Sequence, residues 1–364
     1  MPKNGANDNL YIDELTGLKD LKGLHHDYND KDLNGIHFIY VDIDDFNKMN
    51  IIFGVETVED MLINMGKTLV DYCGKSDVYR VGNDQFLLLT SSHIICEPSE
   101  LQKILQQPFK HHKIQYVINA SVCVADYDEF VGDSLKEILN MLRISVDKTK
   151  NMGRNTLIYA HQKHKEAYKL IEEIEEHIYD AMKLKQFFPK YRPFVDTFNN
   201  EIVGFETVSR WDLNGRTLKP HQFLEIAQWT GIIYDLEICI FEKAMKFYRE
   251  LLDDKSIKLS KRFKAGINLS EYTLITIEID TIIKILTTYD IMAKDVIIEI
   301  KESSIKDKNV YHKVKNLYEL GFVVVLDEYS NNSSSLTYLA DLKVDVLKLS
   351  ESLLDDVNSS QQYK

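Results

Sequence analysis

Short apolar runs alternate with longer stretches of helical periodicity through most of this chain. Ile36 to Val41 reads as a buried strand that stops at the acidic loop Asp42-Ile43-Asp44-Asp45. Thr57 to Tyr72 carries apolar residues at helical spacing. Val78 to Val81 and Phe86 to Leu89 predict two strands around Gly82-Asn83-Asp84, where Gly and Asn tolerate positive φ, so a β-hairpin is expected. Ile114 to Val124 predicts a further strand, and Leu135 to Lys150 a helix with Gly153 as its C-cap. From His161 to about Phe187 the chain is highly charged, and Ile171, Ile174, Ile178 and Met182 form one apolar stripe. That stripe predicts a connecting helix, which either packs on its own domain or forms a dimer seam.

The second half repeats a different rhythm, a short apolar strand ending in a polar residue and followed by a helix. Ile202 to Phe205 leads to Glu206, Ala265 to Ile267 to Asn268, and Val296 to Ile298 to Glu299. Phe322 to Leu326 leads to Asp327 and Glu328, and Val344 to Leu347 to Lys348. The last four ends fall 31, 28 and 21 residues apart, which is βα-unit spacing in a parallel sheet. Polar groups at the C-terminal ends of successive parallel strands are how a TIM-type barrel builds a site. Three carboxylates, an amide and a lysine there suit a hard divalent cation such as Mg²⁺ and metal-assisted hydrolysis of a phosphate ester.

Composition narrows the classes. The 364 residues accommodate about two domains. The four cysteines (Cys73, Cys96, Cys123, Cys239) form no C-x-x-C pair, which argues against a zinc site or disulfide framework and fits a reducing cytosol. The polar start and the lack of any apolar run near the roughly 18 residues of a membrane helix lead to the expectation of a cytoplasmic protein with no membrane partner. A formal net charge of −13 with no basic stripe makes nucleic acid an unsuitable partner, while a small anion held by a few placed cations or by metal ions is compatible with it.

Four ordered segments of the first half resemble GGDEF (diguanylate cyclase) domains. Asp13-Glu14-Leu15-Thr16-Gly17-Leu18 resembles D-x-L-T-G-L, and Asp42-Ile43-Asp44-Asp45-Phe46-Asn47-Lys48-Met49-Asn50 resembles D-I-D-x-F-K-x-x-N-D. Arg80-Val81-Gly82-Asn83-Asp84-Gln85-Phe86 stands for R-x-G-G-D-E-F, and Lys150-Asn151-Met152-Gly153-Arg154-Asn155 for the A-K-x-x-G-R-N close. The resemblance implies a ferredoxin-like α+β palm that joins two GTP molecules. It places Asp42 and Asp84 at metal positions, Asn50 at a guanine contact, and Lys150 and Arg154 at phosphate contacts. Departures are Asn83 for the second signature Gly, Gln85 for its Glu, Ile51 for a guanine-reading Asp, and Cys73 and Ser76 for the regulatory R-x-x-D pair. Loss of cyclase activity is therefore expected, with residual GTP binding left open.

Five segments of the second half resemble EAL domains, whose active members hydrolyse cyclic-di-GMP. Gly204-Phe205-Glu206-Thr207-Val208-Ser209-Arg210-Trp211 stands for G-F-E-A-L-x-R-W, Asn268-Leu269-Ser270 for N-L-S, and Glu299-Ile300-Lys301-Glu302-Ser303 for E-I-T-E-S. Asp327 to Leu336 replaces D-D-F-G-T-G-Y-S-S-L, and Val346-Leu347-Lys348-Leu349 fits the I-K-I strand. By position the resemblance makes Glu206, Asn268, Glu299 and Asp327 metal ligands, with Glu328 in place of a second-metal Asp. It gives Lys348 the attacking hydroxide or a phosphate, Arg210 a ligand phosphate, and Glu302 the bracing of the loop after Asp327. Arg192 stands for a substrate-contacting Gln, and the loop glycines are Ser330 and Asn332.

From 187 to 357 this region spans 171 residues, short of the roughly 200 of a TIM-type barrel, so the barrel is expected to be incomplete. Either another chain covers its open edge, as in a homodimer, or the sequence is a fragment. The expected organisation is a disordered tail over 1–9, a degenerate GGDEF-like domain over 10–160, a connecting helix over 161–186, a truncated EAL-like domain over 187–357 and a tail over 358–364. Three functions follow as alternatives: a catalytically impaired cyclic-di-GMP sensor or inert regulator, a slow Mg²⁺- or Mn²⁺-dependent phosphodiesterase, and an interaction scaffold without nucleotide.

Overall fold

In the computed structural model the described residues are 11–29, 31–74, 77–91, 98–111, 114–150, 154–329 and 342–350. The chain divides at Leu170/Ile171 into two compact units.

The first unit is built on the strands β1 (Lys19–Asp20), β2 (Ile36–Ile43), β3 (Val78–Arg80), β4 (Gln85–Ser91), β7 (Ala120–Asp126) and β8 (Leu157–Tyr159), in the order β1-β3-β4-β2-β7-β8. A separate small hairpin joins β5 (Phe109–His111) to β6 (Ile114–Tyr116). The helices are α1 (Leu21–Tyr28), α2 (Phe46–Phe53), α3 (Val55–Cys73), α4 (Pro98–Leu105) and α5 (Leu135–Lys150). Alternation along β2 explains the layering. Ile39 and Val41 join a core with Met61, Leu62, Met65 and Leu69 of α3 and Leu101 of α4. Phe38 and Tyr40 point the other way, into a core with Leu24 of α1 and Ile138, Leu142 and Val146 of α5. This is the expected α+β palm, and β3–β4 is the expected hairpin. The single strand expected over Ile114 to Val124 is instead broken at 117–119, with β6 pairing in the side hairpin and β7 in the main sheet. Gly153 lies outside the described residues.

Helix α6 (Gln162–Lys183) buries Ile174, Ile178 and Ala181. Its second half is tied to the second unit by Glu173, which accepts from Asn214 (3.0 Å) and Arg216 (2.6 Å). The packing reading of the stripe therefore accounts for it.

The second unit contains β9 (Phe187–Asp196), β10 (Glu201–Leu213), β11 (Arg216–Leu218), β12 (Lys264–Asn268), β13 (Val296–Lys301), β14 (Val323–Tyr329) and β15 (Val346–Leu349). The helices are α7 (Pro220–Trp229), α8 (Ile233–Asp253), α9 (Glu271–Thr276), α10 (Ile279–Thr288) and α11 (Lys308–Glu319). Strands β10, β12, β13, β14 and β15 are successively parallel, as the βα spacing predicted. Strands β9 and β11, however, run antiparallel to β10, so the sheet is mixed. β10 also extends seven residues past Glu206 because Trp211 and Leu213 are buried at period-2 positions; Glu206 is a mid-strand residue rather than a strand end. One face of the sheet presents Phe205, Ala265, Ile267, Ile298, Ile300, Val324 and Leu326 to a core shared with the helices. The opposite face carries the polar residues. The question of further barrel strands concerns 351–364, outside the described residues, as do the 1–9 and 358–364 tails.

Candidate functional site

Strand register assembles the site of the second unit. Glu206 pairs with Gly266 across β10–β12, and Asn268 pairs with Glu299 across β12–β13. Lys301 pairs with Asp327 across β13–β14. With a side-chain period of two, Glu206, Gly266, Asn268, Glu299 and Asp327 all lie on the face opposite the helix-packed core. A Cβ on Gly266 would stand 2.8 Å from Oε1 of Glu299 and 3.0 Å from the Phe205 carbonyl, so the glycine makes room for the carboxylate.

Glu299 is only 1% exposed. Lys348 donates to its Oε2 and lies 3.5 Å from Oε1 of Glu206. The same ammonium sits 5.4 Å from the centre of the Phe194 ring. Arg192 is the direct cross-strand partner of Glu206, and its Nη1 lies 3.4 Å from Oε2. Asn268 donates to the Thr207 carbonyl (3.2 Å) and reaches Oε1 of Glu206 at 3.4 Å. Burial pushes the Glu299 carboxyl up to about 7, against the pull of Lys348 and with the push of Glu206 and Asp327. Oε1 of Glu299 is buried without a hydrogen-bond partner.

Other expected members fall elsewhere. Glu328 adopts a left-handed φ of +58° and pairs at the surface with Lys301 (3.0 Å), so its carboxylate is not part of the cluster. Arg210 shares the face of Glu206 by parity, but its Nη1 donates to the neighbouring Ser209 carbonyl (2.8 Å). Glu302 is buried in a short 3-10 turn after β13, and the loop it was expected to brace falls within 330–341, outside the described residues.

Sequence reasoning passed over Glu237. Its carboxylate, buried on α8, accepts from the Ser270 amide (3.0 and 3.2 Å) and hydroxyl (3.0 Å), two residues after Asn268. Burial pushes its carboxyl up to about 7, with hydrogen bonds from Thr273 and Ser270 opposing. The legible signal was a carboxylate at a core position of the stripe Ile233, Glu237, Ile240, Phe241, Ala244.

In the first unit, Asp42 is buried at the end of β2, where Lys150 donates to Oδ1 and Gln85 to Oδ2 (3.0 Å). Burial holds the Asp42 carboxyl above its ordinary range, with Lys150 opposing and Asp84 adding to the rise; burial also raises Asp84. Arg154 pairs with Asp45 (2.9 Å) rather than standing free for a phosphate. Asn50 is half-buried on α2, followed by Ile51, which is 85% exposed.

A hard divalent cation needs several oxygen donors in near-octahedral array. Around Glu206 and Glu299, three of the four carboxylate oxygens are occupied by Arg192, Lys348 and Asn268, and Oδ1 of Asp327 accepts from the Glu328 amide (2.9 Å). As arranged, these residues do not fit a metal pair, and among the described residues no group of three His, Cys, Asp or Glu side chains is placed to hold an ion.

Comparison with known proteins identifies the two units at the level of domains. Residues 10–156 match the family model described as diguanylate cyclase, GGDEF domain. Residues 175–364, just over half of the chain, match the EAL domain model. The chain belongs to the EAL domain family, with a GGDEF domain preceding the EAL domain. The GGDEF–EAL tandem is 23% identical over 335 residues to the bifunctional diguanylate cyclase/cyclic di-GMP phosphodiesterase MucR of Pseudomonas aeruginosa, covering 88% of this chain and 47% of that protein. It is 24% identical over 360 residues to the cyclic di-GMP phosphodiesterase PdeR of Escherichia coli, covering 95% of this chain and 53% of that one. The chain thus spans about half the length of such relatives. The Vibrio cholerae LapD S helix-GGDEF-EAL structure bound to c-di-GMP aligns with TM-score 0.60 and 14% identity, covering 97% of this chain and 85% of that one, which supports the fold. No described helix of the tandem is long and apolar enough to cross a membrane.

Proposed function

We propose that this tandem is a cyclic-di-GMP signalling protein whose EAL unit binds the dinucleotide and leaves it intact, and whose GGDEF unit makes none. The observation carrying this reading is the set Glu206, Asn268 and Glu299 on one sheet face, joined by the Lys348 ion pairs, with Arg192 opposite Glu206 and Arg210 farther along the same face of β10. Arginines on that face suit the phosphodiesters of a cyclic dinucleotide through charge-assisted hydrogen bonds. Hydrolysis by the two-metal route needs ions at both the attacking and leaving oxygens, and the ion-paired carboxylates leave little donor capacity for them. In the GGDEF unit, Lys150 and Gln85 occupy Asp42, and an apolar Ile51 follows Asn50.

One observation favours a second reading, slow Mg²⁺- or Mn²⁺-dependent hydrolysis: the buried, unpartnered Oε1 of Glu299 offers one coordination position. The test is overnight incubation of the full chain with cyclic-di-GMP and Mn²⁺, then chromatography. Intact nucleotide with a raised Tm supports the sensor; linear dinucleotide supports the enzyme; intact nucleotide with no Tm change leaves a scaffold.

A further inference from the structure

The EAL site contains its own cations, and their placement bears on what the bound ligand requires. When both are ionised, Glu206 and Glu299 carry two negative charges; Arg192 and Lys348 carry two positive charges against them. Asp327, close enough to push on Glu299, brings the set to one net negative charge. Lys348 is held from three sides, by Glu299, Glu206 and the Phe194 ring. Arg192 is held by strand register directly opposite Glu206, and its side chain is 69% exposed, so its remaining donors face outward. A divalent ion entering here must displace Lys348 from two buried carboxylates, an outcome that low-dielectric surroundings disfavour, and must also compete with the more exposed Arg192 for Glu206.

We propose that Arg192 and Lys348 take the place of divalent metal in this site, so that an anionic cyclic dinucleotide is gripped by Arg192 without any metal requirement. This rests on the reading of the EAL unit as a dinucleotide site. It goes beyond that reading in naming the residues that make the site metal-independent and in assigning Arg192 both tasks: neutralising Glu206 and meeting a phosphodiester. A glutamine at this position could still donate to a phosphate oxygen but would not neutralise Glu206, since an amide carries no charge.

The experiment has two arms on the full chain. In the first, Mn²⁺ alone is titrated and followed by electron paramagnetic resonance. Wild type is expected to bind no Mn²⁺ at the site up to about millimolar, whereas Arg192→Gln gains a site that Glu206→Gln in the same background removes. In the second, cyclic-di-GMP affinity is measured in excess EDTA and in excess Mg²⁺. Wild type is expected to differ by less than about twofold, and Arg192→Gln to weaken about tenfold in EDTA and recover with Mg²⁺, consistent with loss of one charge-assisted hydrogen bond. A tight Mn²⁺ site in wild type that Glu206→Gln abolishes overturns the proposal, as does a tenfold loss of wild-type affinity in EDTA. Arg192→Lys should retain the wild-type Mn²⁺ behaviour, which separates charge from folding defects. If cyclic-di-GMP does not bind under either condition, the dinucleotide reading fails while the Mn²⁺ arm still decides the metal question.

Discussion

The two units treat an inherited acidic site differently. In the GGDEF unit one buried aspartate, Asp42, is satisfied by a lysine and by the amide of Gln85, and the helix beside it exposes Ile51, Ile52 and Phe53. Apolar side chains therefore follow Asn50, while Asp42 is paired with a cation. In the EAL unit the carboxylates and the amide are aligned by strand register, Lys348 joins them by ion pairs, and Arg192 pairs with Glu206. Both units hold a buried carboxylate with an internal lysine, and the contrast lies in what stands beside it: exposed apolar side chains in one, an exposed arginine in the other.

The sharpest way to break this comparison is Lys348→Met. It leaves Glu299 buried beside Glu206 without its cation and should destabilise the EAL unit by about 3 kcal/mol, the scale for breaking a buried pair. Because the Glu299 carboxyl already sits at about 7 against an ordinary 4.5, the loss should be largest above neutral pH and shrink as pH falls. Thermal melts at about pH 8 and about pH 5.5 check this, and adding Glu299→Gln should recover most of the loss. Next in size, Arg210→Ala should weaken cyclic-di-GMP binding about tenfold to a hundredfold, the scale of a lost charged hydrogen bond. Lys150→Ala in the other unit should leave that affinity unchanged; equal losses would erase the distinction between the units.

A smaller effect concerns Glu237. Its folded carboxyl, at about 7, lies above the ordinary 4.5, so the folded chain holds an extra proton between those values and stability falls as pH rises through that window. Glu237→Gln should flatten the Tm difference between about pH 5 and about pH 8, leaving the part due to Glu299. The smallest effect belongs to Ile51→Asp: at 85% exposure it should change stability by less than about 0.5 kcal/mol and restore no cyclase activity, measured as cyclic-di-GMP formed from GTP.

Much of this was legible in the chain itself. The palm follows from Ile36 to Val41 ending at Asp42 and from the hairpin around Gly82-Asn83-Asp84, both local patterns. The parallel order of β12 to β15 follows from the spacing of Asn268, Glu299, Asp327 and Lys348. What escaped depends on register or on backbone twist. Arg192 meets Glu206 only after a β-bulge between Ile202 and Gly204 shifts the β9–β10 pairing, which residue types do not announce. Glu328 reads as a strand-end ligand until its left-handed φ turns the carboxylate to Lys301. The long β10 was cut short at Glu206 because Thr207, Ser209 and Arg210 follow it, although buried Trp211 and Leu213 keep the period.

The account stands most directly on a calorimetric titration of the full chain with cyclic-di-GMP in the presence of Mg²⁺, followed by chromatography of the recovered nucleotide. Saturable heat with the cyclic form recovered intact is the predicted result. Recovery of linear dinucleotide, at a rate abolished by Glu299→Gln, would contradict it.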